Sequence, residues 1–510
     1  MKNQTALSVF YGLFFLICLL PMREGQAQED IVFFSPEQIR SDLSFLDSFF
    51  QQYSAYRDLN GFSYQTAFAT FQADVGSDSI SKTDLGLFLE SVIGGIGDRH
   101  AAINGYDLPN SRYLPFTAAP LYDQMLALDY DRSSKQYRSR FPDYPFVIAI
   151  NEVPVADFLE SILTKHISAP GPARHFRAIK LLKYMEECYA IRGQEPPALF
   201  DFTLTNGTID TIVRLPLERN RRSFFTWEDK VAAQFGQEEE ELNDAELCAQ
   251  LGRVDEDGIA YLRLPDMTDP EEAPIFFAYV NDFMDQLSAG NSKALIIDIR
   301  GNDGGTRHLI PFLAQYLVHP DAIHVVNVVK QVTDLPNNDD WQGDMERRFL
   351  QPRTQLDERE QTAVDHFMRS FKPVYTLNEA RFSEYHFMVL NGQKLSTMES
   401  YYNRPVYILA NERCFSAASI LVSAFKGLPN IYIAGQRTDG SSGNSARFKL
   451  PNSGLSGKVS TMVSFQKDGN ILDGYGTMPD MLIERNLKQI YWLRDYQLES
   501  LKEWILASDQ

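Results

Sequence analysis

From Ser35 onward the apolar positions Ile39, Leu43, Phe45, Leu46, Phe49 and Phe50 recur at three- and four-residue intervals. That spacing puts one face of a helix against a core. Ser35-Pro36-Glu37 supplies the start, a capping serine followed by proline in the first turn. The same period predicts helices over residues 64–71 and 85–93, so residues 28–105 read as a small helical cap. Gly94, Gly95 and Gly97 break the period, Asp98-Arg99-His100 follows, and residues 101–103 read as a short extended piece. Over 106–220 the pattern is mostly that of strands, at 125–130, 146–150, 200–204 and 211–215, with Asn206-Gly207 as a hairpin turn. A polar connection with an acidic run at 238–241 spans 221–257.

From Gly258 the alternation changes. Strands are expected at 259–264, 294–299, 406–410 and 431–434, and helices at 273–287, 309–318 and from the small-residue turn at Ser416 to about Phe425. The stretch ALIIDI is a near-continuous apolar run, which suits a parallel strand covered on both faces. This predicts an α/β core over 258–490 with a partly parallel sheet. Residues 330–400 are polar and aromatic and read as an insertion over that core; 491–510 reads as a terminal helix.

Composition narrows the picture. The chain has 510 residues, 44% hydrophobic and 23% charged, which is ordinary for a globular protein of several domains. A net charge of −20 argues against nucleic acid and against an anionic membrane surface as partners. Lys2, the apolar run at 6–22 and Gly25-Gln26-Ala27 have the layout of a secretory signal peptide over residues 1–27. An uncleaved anchor is the alternative, and Cys18 lacks the small residues expected just before a lipidated cysteine. Cys188, Cys248 and Cys414 are too few and too scattered for a disulfide framework.

The candidate chemistry centres on Ser416, at a strand-to-helix turn where its hydroxyl would be lifted from the sheet beside free backbone N–H groups. A plain helix cap is the competing reading. Four separated segments could converge: Asp98-Arg99-His100, the glycine loop 298–305, Ser416-Ala417, and 473–480. A hydroxyl nucleophile needs a base, a group orienting that base, and donors for the oxyanion. His100 can be the base, Asp473 the orienting carboxylate, and the N–H groups of Gly304, Gly305 and Ala417 the donors. Each part also has a bland reading, as strand-end histidine, phosphate-type loop or turn residue.

Resemblance to a family adds to this. The ordered motifs DRH, LIIDIRGNDGG, ILANERCFSAAS, IAGQRTDG and DGYGTMPD resemble those of the serine peptidase family of C-terminal (tail-specific) processing peptidases, the tricorn protease and the retinoid-binding interphotoreceptor repeats. VIAINEVPVADFLESI likewise resembles the IxxINGxPV segment of PDZ domains, with Glu152 at the usual glycine. The resemblance implies a mixed-sheet catalytic core of ClpP/crotonase-like type, a PDZ-like β-rich domain and no cofactor or metal. One branch of the family uses a Ser–Lys dyad, but Ser441 stands where its lysine belongs. The tricorn-like branch uses Ser and His, and His100 and Asp473 match its positions. The implied activity is a secreted or periplasmic serine endopeptidase acting on peptides or unfolded proteins through Ser416, His100 and Asp473. Arg99 and Thr438 are the expected substrate contacts. A non-catalytic peptide- or ligand-binding protein on the same scaffold is the second reading, and a Ser–Lys peptidase using Lys449 or Lys458 the third.

Overall fold

The computed structural model describes residues 32–219, 227–229, 244–333 and 340–508. The expected signal segment and the acidic run at 238–241 lie outside them. Within them no helix is long and apolar enough to cross a membrane.

At the centre is a six-stranded sheet in the order Gly252–Val254, Ile259–Arg263, Ala294–Asp298, Val406–Ala410, Ile431–Gly435 and Met481–Leu482. The first pair is antiparallel and all others are parallel. Ile259–Arg263, Ala294–Asp298 and Val406–Ala410 are buried at every position because both faces are covered. Alternate residues go to opposite sides. Leu262, Leu295, Ile297 and Ile408 pack with helices Pro274–Ala289, Leu309–Leu317 and Ala417–Phe425. Tyr261, Ile296, Tyr407 and Leu409 pack against Leu498, Leu501 and Ile505 of the terminal helix Tyr496–Ser508. The edge strand Gly252–Val254 starts the core inside the expected linker.

Residues 330–400 are woven into the molecule rather than laid over it. Ile323–Gln331, Gln351–Pro352, His386–Asn391 and Met462–Phe465 form a second, antiparallel sheet. Its apolar face shares a core with the N-terminal helices Pro36–Tyr53, Tyr64–Val75 and Lys82–Ile96 through Leu46, Phe50, Leu89, Val328, Phe387 and Phe465. Residues 117–215 make a separate seven-stranded sheet, and helices Gly171–Leu181 and Met185–Ile191 fill the stretch between the expected strands at 146–150 and 200–204.

Three loops leave the C-terminal ends of neighbouring parallel strands: the glycine loop after Asp298, the Ser416 turn after Ala410, and the segment after Gly435. This is where open α/β sheets place their ligands. The fourth segment arrives from outside the sheet. Ala102–Asn104, just after His100, pairs with Ser456–Ser460, which in turn pairs with Ser445–Lys449.

Candidate active site

Ser416 has φ +51° and ψ −126°, a backbone shape that costs a non-glycine residue of order 1–3 kcal/mol. It precedes helix Ala417–Phe425, yet its side chain caps nothing. The hydroxyl instead lies 3.0 Å from Nε2 of His100. The turn is held by its own side chains. Ser419 Oγ donates to the Cys414 carbonyl at 2.6 Å, and Asn411 Oδ1 accepts from the N–H of Gly301 at 2.9 Å and of Arg413 at 3.1 Å. Phe415 N–H reaches the Asn302 carbonyl at 3.1 Å, which ties the turn to the glycine loop. The nearby thiol of Cys414 is buried, which pushes its pKa up to about 12, so it is no rival nucleophile.

The glycine loop must be glycine where it meets this turn. A Cβ on Gly304 (φ +100°) would lie 2.6 Å from Ser416 Cβ and 2.7 Å from the Phe415 carbonyl oxygen; one on Gly305 (φ +146°) would lie 1.9 Å from the Met267 carbonyl oxygen. The N–H groups are not equivalent. Gly304 donates to Asn302 Oδ1 at 2.9 Å, which removes it from the expected donor set. Met267 N–H reaches the Gly304 carbonyl and Thr306 N–H the Met267 carbonyl, so the intervening Gly305 N–H faces the other way. Ala417 N–H stands at the helix start. Neither of these two N–H groups has an acceptor among the described residues.

His100 is fixed from three sides. Asp98 Oδ1 accepts from the backbone N–H of His100 at 3.0 Å and of Ala101 at 3.1 Å, and Ser460 gives Asp98 both its N–H and its hydroxyl. The Phe415 ring stacks on the imidazole, 5.5 Å between centroids and 9° from parallel. On the far nitrogen, Lys458 Nζ lies 3.4 Å from Nδ1. Burial first, and then the cations Lys458, Arg348 and Arg99, push the imidazole pKa down to about 3, so His100 is neutral at ordinary pH.

Residues 258–483 match the model of peptidase family S41. Over those residues the chain carries an S41-type peptidase core, and it is a serine peptidase. Two solved structures share its fold. One is mature CPAF complexed with lactacystin, 18% identical with a TM-score of 0.62 over 93% of this chain and 98% of that one. The other is a serine-to-alanine mutant of CPAF, 16% identical with a TM-score of 0.60 over 92% and 96%. No curated protein matches by sequence.

The S41 core departs from the sequence expectations at three side chains. Asp473 does not reach the His100 ring. Its Oδ2 accepts from Tyr56 O–H at 2.9 Å, Ser442 Oγ at 2.7 Å and Ser442 N–H at 3.1 Å, while Oδ1 is buried without a partner among the described residues. Burial, and secondly the charge of Asp98, push its pKa up to about 7. Arg99 is wholly buried; it pairs with Asp439, and its other terminal nitrogen lies 2.7 Å from His166 Nδ1. A guanidinium held there does not reach substrate. Thr438 is also fully buried, and its hydroxyl accepts the Thr477 N–H at 2.8 Å. Both therefore brace the loop after Gly435 from behind. Lys449, in the third reading, is exposed at the end of its strand.

Two further side chains contribute beside the imidazole. Asp98 belongs to the DRH segment, but the sequence assigns it no role of its own. Lys458 does not stand directly after Gly440, and the sequence offers it only as the alternative base of the third reading. The cross-strand register that pairs it with Ala102 is what brings it to the imidazole.

Proposed function

We propose that the chain is a secreted or periplasmic endopeptidase in which Ser416 and His100 form the catalytic pair. The observation that carries the reading is the 3.0 Å contact between His100 Nε2 and a hydroxyl held on a strained turn and left free of capping. Ser416 Oγ attacks the substrate carbonyl while Nε2 takes its proton. The developing oxyanion is met by the N–H groups of Gly305 and Ala417. Nε2 then returns the proton to the leaving amine, and water resolves the acyl-enzyme by the same route. Asp473 supports the site indirectly, through Tyr56 and Ser442. Peptides and unfolded proteins are the substrates in this reading.

The test is hydrolysis of an unfolded polypeptide. Ser416→Ala and His100→Ala should each lower kcat/KM by about 10³-fold or more. Full activity in Ser416→Ala would end the proposal, and full activity in His100→Ala would remove its base. Export rests on residues 1–27 and predicts that the protein recovered from its native cell begins at Gln28; a chain retaining Met1 contradicts it.

A further inference from the structure

We propose that Lys458 is a positioning residue that sets the tautomer of His100. As a neutral amine it accepts the Nδ1–H, which leaves the Nε2 lone pair free for the Ser416 proton. As an ammonium it donates to Nδ1 and holds His100 in the opposite, unproductive tautomer. The inference rests on the Ser416–His100 reading above.

A neutral imidazole has one N–H and one lone pair, so whatever faces Nδ1 decides what Nε2 can do for serine. A carboxylate there would accept from Nδ1–H. Neither nearby carboxylate occupies the place: Asp473 is held by Tyr56 and Ser442, and Asp98 by Ser460 and two backbone N–H groups. The group that faces Nδ1 is Lys458 Nζ, at 3.4 Å. Its position is not that of a loose surface lysine. The strand Ser456–Ser460 pairs on both sides, and the register sets Lys458 opposite Ala102 on one side and Arg447 on the other.

The surroundings favour the neutral amine. The charges of Arg447 on the adjacent strand and of Lys165 beyond helix Val155–Ser161 act on Lys458, with Asp98 as the opposing anion; those of Arg348 and Arg99 act on His100. Burial and then Arg447 hold the amine pKa below its ordinary value, with Asp98 acting against them and Lys165 adding to them. The proton count closes. As the Oγ–C bond forms, the serine proton moves to Nε2, and the imidazolium keeps its Nδ1–H directed at the Nζ lone pair. As the C–N bond breaks, Nε2 gives its proton to the amine, and Lys458 ends neutral as it began.

The three side chains that can stand at position 458 differ in what they present to Nδ1. Glutamine offers an amide oxygen that accepts at every pH, whereas arginine only donates. In the full chain, kcat/KM of the unmutated enzyme should rise with pH as the lysine loses its proton, with the rise set below the ordinary lysine range. Lys458→Gln should stay within about tenfold of the best wild-type rate and lose that rising limb. Lys458→Arg should fall by about 10⁴-fold at every pH, the scale of a misprotonated catalytic histidine. Equal losses in both variants, with the limb intact, would overturn the proposal while leaving the Ser416–His100 reading standing. An active His100→Ala together with a dead Lys458→Gln would overturn both and make lysine the base. Nitrogen-15 imidazole spectra of the unmutated protein need no substitution. They should show Nε2–H of His100 at low pH giving way to Nδ1–H at high pH, and a single tautomer throughout contradicts the proposal.

Discussion

Asp473 is fully buried, and its charge is supported on one oxygen only. Unfolded, its carboxyl ionises at the ordinary 3.8; folded, it holds its proton up to about 7. The fold therefore binds that proton more tightly than the unfolded chain does. The resulting stability is full below about pH 4 and is lost as pH rises through about 7. His100 has the opposite sign: its folded pKa of about 3 lies below 6.5, so its contribution is full above about 6.5 and lost as pH falls towards 3. Asp473→Asn cannot ionise. Its melting temperature should fall less than that of the wild type between about pH 5 and about pH 8; an equal fall would show that Asp473 does not hold the proton. Single residues were also where the sequence was easiest to misread. DRH and the small-residue turn identify His100 and Ser416 by type. Nothing local says that Arg99, next to His100, turns inward to Asp439, or that the Asp473 carboxyl stops at Tyr56.

The parallel strands were legible because helices cover both their faces and every position must be apolar, as in ALIIDI. The paired loops followed, since a glycine run or a small-residue turn after such a strand has few other uses. The second sheet was not legible. Ile323–Gln331 pairs with His386–Asn391 across more than fifty intervening residues and with Met462–Phe465 across more than a hundred. No local period reports such non-local pairing, and the polar stretch between reads as an insertion. The pairing that carries Lys458 to His100 spans a still longer interval. The glycine loop and the nucleophile turn act as one element, because Gly304 fits against Ser416 with no room for a methyl group. Gly304→Ala must move that turn away from His100 and from the donors of Gly305 and Ala417. It should lower kcat/KM by about 10²–10³-fold, the cost of a disturbed oxyanion site, while the protein still folds. Activity within twofold of wild type would show that the loop yields without harm.

At the scale of the molecule the site belongs to no single segment. Ser416 comes from the α/β core and His100 from the end of the N-terminal helical segment. Those helices do not form a detached cap. They share a hydrophobic core with the second sheet, Ala55 N–H donates to the Ser460 carbonyl at 2.8 Å, and Asp42 accepts from Asn452 and Ser453. Base and nucleophile therefore meet only when both halves have packed, and the contact between them is the point on which the functional account depends. A fluorophosphonate probe reads it directly, because the reagent labels a serine only where a base has activated it. Peptide mapping of the labelled wild-type protein should find the adduct on Ser416, and His100→Ala should leave that serine unlabelled. Labelling of Ser416 at the same rate without His100, or none in the wild type, would contradict the account.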